Sequence, residues 1–310
     1  MRYAGLLAGI GLLLAAAGTA GATSYSTSFE SPGFTVGPMS PDGTPAQGGW
    51  SGGAQVGFTN NTSEPGSVYD ENITTADAHT GTQSWLFMRG YDSPGQGTPF
   101  SPQLGVTCGQ PSSGADYDGF LASFWFKVAN PIQDAGSRVM IAGGNPNGND
   151  RSSNYMEIEY VSGGSVTVRS YDGVPGSGWD TTEVLIATGL TSNEWHKIVM
   201  EGHFIDGLYN DTWTYTVDDG TPVVGGAYFE TARDNFGYGY EPTNRLKFQP
   251  RHLDGNADPN VSPYYEGFYF DDISYEAFEL QTQVIPEPVT MAGLMLGIGC
   301  LARYVRRRRA

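Results

Sequence analysis

The stretch "YMEIEY" (155–160) sets two carboxylates, Glu157 and Glu159, two residues apart, with Met156, Ile158 and Tyr160 at the alternate positions. On an extended strand that spacing turns both acids to one face and the apolar residues to the other. A retaining glycosidase needs two carboxyls roughly 5–5.5 Å apart around the bond it cleaves, and neighbours at i and i+2 approach that separation. Glu157 and Glu159 are therefore the candidate catalytic pair. The competing reading is structural, because a half-exposed antiparallel strand routinely turns polar residues to water.

Asp254, Asn256 and Asp258 place oxygen-bearing side chains at alternate positions, as the start of a calcium loop does. The glycine and distant bidentate glutamate of an EF-hand do not follow, so an Asx turn is the other reading. Trp179, Tyr238, Tyr240, Tyr264 and Tyr265 fall in expected loops, where their rings can stack on sugars or cap the core. His79, His196, His203 and His252 show no HExxH or close zinc spacing. The chain contains no nucleophile-elbow, phosphate-loop or dinucleotide signature.

The elements that must hold these residues read as strands. "FLASFWFKVA" (120–129) alternates, with Phe120, Ala122, Phe124, Phe126 and Val128 on one face and Leu121, Ser123, Trp125 and Lys127 on the other. "YMEIEYV" and "SVTVRSY" flank Gly163-Gly164, which predicts a two-residue hairpin. "TWTYTVDDGTPV" alternates and then turns, with Asp219-Gly220 as the expected corner. "WHKIVMEGHFI", "RLKFQP" and "EGFYFDDISYEAFEL" add further strands, and no part of the body shows helical periodicity. The expectation is all-β: one antiparallel sandwich or jelly roll over 23–280.

Composition agrees. Aromatics make up 13% of the 310 residues and charged residues only 16%, with 44 glycines, the profile of a turn-rich β protein. The net charge is −17, and six of the 16 basic residues sit at the two ends, so the body is more acidic still. Such a body repels nucleic acid and anionic membrane. Cys108 is expected to be unpaired, since the other cysteine, Cys300, lies in an apolar tail.

The ends read as addresses. Arg2, an apolar run over 4–17 and Ala20-Gly21-Ala22 form a secretory signal peptide, with cleavage expected after Ala22. At the other end come a spacer (281–288) with Pro286-Glu287-Pro288, an apolar segment (289–305) and a basic tail (306–310) with Arg306, Arg307, Arg308 and Arg309. The segment is expected to form a transient inner-membrane helix, its arginines held inside. The prolines keep the stretch before it extended. "IPEPVTMAGLMLGIGCLARYVRRRR" resembles the PEP-CTERM sorting signal of Gram-negative bacteria. The resemblance implies export by the secretion machinery, recognition and trimming by an exosortase, and delivery to the cell surface or extracellular matrix, alongside exopolysaccharide.

The body also carries fragments of a known architecture. "NEWHKIVMEG" with "WTYTVDDG" resembles the laminin-G pattern, and "YSTSFESPGF", "AHTGTQSW" and "FYFDDISYE" resemble strands of carbohydrate-binding jelly rolls. This implies a concanavalin A-like sandwich. It also implies a structural calcium where the first and last strands meet, held by Glu30, Asp271 and Asp272. Family-16 glycosidases carry three acids on the strand that "YMEIEY" resembles, and here there are two. The leading expectation is a non-catalytic surface or matrix protein that binds exopolysaccharide. A divergent glycoside hydrolase or lyase using Glu157 and Glu159 is the alternative, and a purely structural or adhesive protein is the third.

Overall fold

The computed structural model describes residues 24–39, 47–50, 71–88, 99–130, 135–145, 152–177, 180–226, 230, 242–252 and 267–280. The signal peptide, the Pro-Glu-Pro motif and the tail lie outside them. Among the described residues no helix is long and apolar enough to cross a membrane.

Fourteen strands lie among the described residues: β1 (Ser24–Thr27), β2 (Gly37–Pro38), β3 (Glu71–Thr74), β4 (Ser84–Met88), β5 (Gly119–Val128), β6 (Ser137–Gly144), β7 (Met156–Val161), β8 (Ser165–Gly173), β9 (Thr181–Thr191), β10 (His196–His203), β11 (Thr212–Val217), β12 (Val223–Gly226), β13 (Arg245–His252) and β14 (Gly267–Phe278). They form two antiparallel sheets. The larger runs β12-β11-β10-β5-β14-β4-β3-β2, with β1 paired to the second half of β14; the smaller runs β13-β6-β7-β8-β9. Neighbours distant in sequence, such as β5 between β10 and β14, make this a sandwich with crossings between layers.

The alternation in β5 drives the layering as expected. Phe120, Ala122, Phe124, Phe126 and Val128 are all buried, while Leu121, Ser123, Trp125 and Lys127 are partly exposed. The two sheets meet through aromatic rings. Phe248 of β13 lies 5.0 Å from Trp85 of β4 and 5.3 Å from Phe270 of β14, both edge-on. Burying each such ring stabilises by about 1.5–3 kcal/mol, and each pair adds about 0.5–1.5 kcal/mol. The 99–108 segment covers the outer edge of β13: Ser101 N donates to Leu246 O, Phe248 N to Pro99 O, and Cys108 and Thr243 exchange both backbone bonds. An edge covered in this way offers no ladder to another chain. Cys108 is free and buried, its thiol pushed up to about 12 by burial, with Asp116 and Asp118 adding to it.

Two turns differ from expectation. The β7–β8 connection has three residues, because Val161 pairs with Ser165; Gly163 and Gly164 both take positive φ inside it. The β11–β12 corner places its positive φ on Asp218 and Asp219, one residue before the expected pair. The reason is tertiary. Asp218 Oδ1 accepts the Lys197 amide at 2.9 Å, and Oδ2 lies 2.6 Å from His196 Nδ1. Aspartate tolerates the left-handed region well enough for that contact to choose the corner.

Candidate functional site

The outer face of the five-stranded sheet gathers polar chemistry. In β7, Met156, Ile158 and Tyr160 enter the core, so Glu157 and Glu159, with Tyr155 just before the strand, turn outward. Register sets their neighbours: Glu157 lies opposite Met140 of β6 and Arg169 of β8, and Glu159 opposite Arg138 and Thr167. The one-face expectation for the two acids holds.

The acids do not meet water. Glu157 is 1% exposed and Glu159 4%. Both oxygens of Glu157 are occupied: the Tyr155 hydroxyl donates to Oε1 at 2.8 Å, and the Tyr171 hydroxyl donates to Oε2 at 2.9 Å, where Arg138 Nη1 also donates at 3.0 Å. Arg169 Nη2 sits 2.5 Å from Glu159 Oε2, and its Nη1 reaches Glu183 at 3.2 Å. The Tyr155 and Tyr171 rings pack edge to face at 5.0 Å. Burial pushes the Tyr171 phenol up to about 12, and the Glu157 charge adds to it, so this phenol keeps its proton at neutral pH.

The layer facing solvent here is thus Tyr155, Tyr171, Arg138 and Arg169, each partly exposed above buried carboxylates. Chemically, two phenols bridged by one carboxylate can move a proton between two points, and guanidiniums can hold an anion. Farther along this side of the sheet, β13 turns Arg245, Lys247 and Gln249 away from the core, opposite Gly144, Ala142 and Met140 of β6, with Arg245 and Lys247 themselves buried. Arg245 lies 4.2 Å over the Phe100 ring. Arg138, Arg169, Arg245 and Lys247 place four of the chain's 16 basic residues on this one face. Sequence reasoning missed both tyrosines and the arginines. The available signal was alternation: Tyr155 continues the Glu157–Glu159 row, and Thr167, Arg169 and Tyr171 form the matching row on β8.

Glu30, Asp271 and Asp272, the trio expected to hold calcium, all accept hydrogen bonds from the 79–83 loop. Glu30 Oε1 accepts the Thr82 and Gln83 amides, both at 2.7 Å, and Oε2 the Thr82 hydroxyl. Asp271 Oδ2 accepts the His79 and Thr80 amides, and Oδ1 the Asp272 amide. Asp272 meets His79 Nδ1 and the Thr80 hydroxyl, both at 2.7 Å. All six carboxylate oxygens are engaged by protein partners, and the arrangement clamps the 79–83 loop. Among the described residues no three His, Cys, Asp or Glu are grouped to hold a metal ion. Asp254, Asn256 and Asp258, and the aromatics Trp179, Tyr238, Tyr240, Tyr264 and Tyr265, lie outside the described residues.

Comparison with known proteins adds the following. No family model matches the chain. No curated protein matches it. Solved structures do. The alginate lyase Aly36B in complex with alginate trisaccharide is 10% identical, with a TM-score of 0.48 over 83% of this chain and 99% of that one. An alginate lyase from Klebsiella pneumoniae is 10% identical, with a TM-score of 0.44 over 68% of this chain and 85% of that one. A GH43 glycoside hydrolase is 12% identical, with a TM-score of 0.44 over 84% of this chain and 42% of that one. Against the expectation of a non-catalytic sandwich, these similar structures are alginate lyases and a glycoside hydrolase, a likeness that concerns the fold.

Proposed function

We propose that the chain is an exported enzyme that cleaves an acidic polysaccharide at the outer face of the five-stranded sheet, by β-elimination. The observation that carries this reading is the Tyr155–Glu157–Tyr171 bridge, both phenols donating to opposite oxygens of one buried carboxylate beside Arg138 and Arg169. A uronate held by a guanidinium has its carboxylate charge offset, which acidifies the C–H next to it. Tyr155 oxygen takes that proton and passes its own to Glu157. Tyr171 gives its proton to the departing glycosidic oxygen and is reprotonated through Glu157. The C–H and C–O bonds break, a C=C bond forms, and the net proton moves from carbon to the leaving oxygen. Glu157 and Glu159 suit a hydrolase less well, because neither stands free at the surface as nucleophile or acid.

The test is to incubate the full chain with alginate and polygalacturonate, following both unsaturated uronyl absorbance and reducing ends. Tyr155→Phe and Tyr171→Phe are each expected to lower turnover by about a hundredfold or more. Reducing ends without unsaturated product would replace elimination by hydrolysis, and full activity in both Phe variants would end the proposal. The reading includes the addresses: secretion, exosortase trimming and delivery to the cell surface or matrix. The mature chain from the producing cell is then expected to lack residues 1–22 and the tail beyond Pro-Glu-Pro, as intact mass would record.

A further inference from the structure

The outer face of the nine-stranded sheet is built differently. Between β1, β14, β5 and β10 lies an open cavity of about 440 Å³, lined by Ser24, Ser26, Ser123, Ser274, Lys197 and Glu276 together with the apolar Leu121 and Val199. That volume falls in the range of ordinary ligand sites. Its polar lining is mainly hydroxyl: Ser123 and Ser274 share one hydrogen bond at 2.9 Å and leave further capacity toward the opening.

Two positions along β5 the same face changes from hydroxyls to rings. Trp125 is stacked by His79 at 3.7 Å and 16°. Beyond it Trp195 and Tyr269 stand 6.3 Å apart, both partly exposed. Asp77 ties this end together, accepting Trp195 Nε1 at 3.2 Å and Lys127 Nζ at 2.7 Å. Half-exposed rings with fixed polar tips beside a row of hydroxyls are the groups that bind sugar faces and sugar hydroxyls together. From Leu121 to Lys127 the row spans about 20 Å, room for several sugar units in an extended chain.

Charge selects the ligand. Lys127 is paired with Asp77, and Lys197 faces Asp219 at 3.7 Å, while Glu276 and Asp272 add negative charge. Among the described residues this face carries no surplus of cations to attract a polyanion. We propose that it is a second glycan site, separate from the catalytic face, that holds a neutral polysaccharide chain along β5 with its rings on Trp195 and Tyr269 and its hydroxyls in the serine-lined cavity. The site does not depend on elimination chemistry elsewhere.

The experiment is affinity electrophoresis of the full chain through gels containing xylan, laminarin or galactomannan, with alginate as the acidic comparator. At least one neutral glycan is expected to retard the chain. Trp195→Ala and Tyr269→Ala should each weaken that retardation about tenfold, the size of one lost ring face with its packing. Trp195→Phe keeps the ring and should stay within a few-fold of the parent. Ser123→Leu fills the cavity without touching the rings and should also weaken binding, which covers the case in which a Trp195 variant fails to fold. Cleavage of acidic polysaccharide should be unchanged in these variants, so failure of this site and failure of the catalytic reading are told apart by the two readouts. No retardation by any neutral glycan, or parent-like retardation of Trp195→Ala and Ser123→Leu, overturns the proposal. Stronger retardation by alginate through the same residues overturns it too.

Discussion

Replacing Glu157 by glutamine tests the core of the proposed site. The change is nearly isosteric, but it removes the charge on which three donors converge: the Tyr155 hydroxyl at 2.8 Å, the Tyr171 hydroxyl at 2.9 Å and Arg138 Nη1 at 3.0 Å. Glutamine supplies one acceptor oxygen and one NH₂, so at one end its donor must face another donor. A hydrogen bond to a charged group contributes about 1.5–3 kcal/mol, and breaking a buried ion pair costs about 3–5 kcal/mol. Arg138 is 16% exposed at its side chain and recovers some hydration, which places the loss near the lower end, about 3 kcal/mol. Urea unfolding followed by tryptophan fluorescence should show a midpoint lower by about 1 M or more at unchanged slope. A second readout is specific to the contact. The Glu157 charge helps hold the Tyr171 phenol near 12, so the variant should titrate one tyrosine at lower pH in ultraviolet absorbance. A loss below about 1 kcal/mol together with an unmoved tyrosine titration would refute the buried bridge, and with it the proton path of the proposed mechanism.

Two further variants probe the scaffold. Burial lifts the Asp271 carboxyl from an ordinary 3.8 to about 6, against the pull of the Thr80, Asp272 and His79 amides. A carboxyl raised in the folded state binds its proton more tightly there than in the unfolded chain. Its contribution to stability therefore falls as pH climbs from about 4 to about 6 and is flat above. Asp271→Asn removes that slope, so its stability relative to the parent should rise by up to about 3 kcal/mol between about pH 4 and about pH 6, above a pH-independent loss where the new NH₂ faces backbone amides; urea midpoints with a pH-independent difference would contradict this. In Gly202→Ala the new Cβ would meet the Trp213 ring at 2.8 Å, and a loss of about 1–3 kcal/mol with altered near-ultraviolet circular dichroism is expected. A parent-like midpoint would mean the indole shifts freely.

Much of the layering was written in local pattern. Period-two alternation in "FLASFWFKVA" and "YMEIEYV" names the core-facing side of β5 and β7 without knowledge of any partner, because on a strand successive side chains must go to opposite sides. Turn chemistry was legible in kind but not in register. Glycines and aspartates marked both corners, yet the β11–β12 corner sits one residue early because Asp218 is held by His196 and the Lys197 amide, contacts that do not exist until β10 and β11 pair.

The site shows the same division. The sequence by itself determined that Glu157 and Glu159 share a face, that the body is all-β and acidic, and that both ends read as addresses. Only the tertiary structure decided what that face does with its acids. Pairing β7 with β6 and β8 brings Arg138, Arg169 and Tyr171 over the carboxylates, which makes them buried supports and leaves the tyrosines and arginines facing outward. Pairing partners come from residues far apart in the chain, and a strand's own alternation carries no information about which strand will lie beside it. The same holds for Glu30, Asp271 and Asp272, whose oxygens are claimed by amides from a loop nearly two hundred residues from the last strand in the case of Asp271.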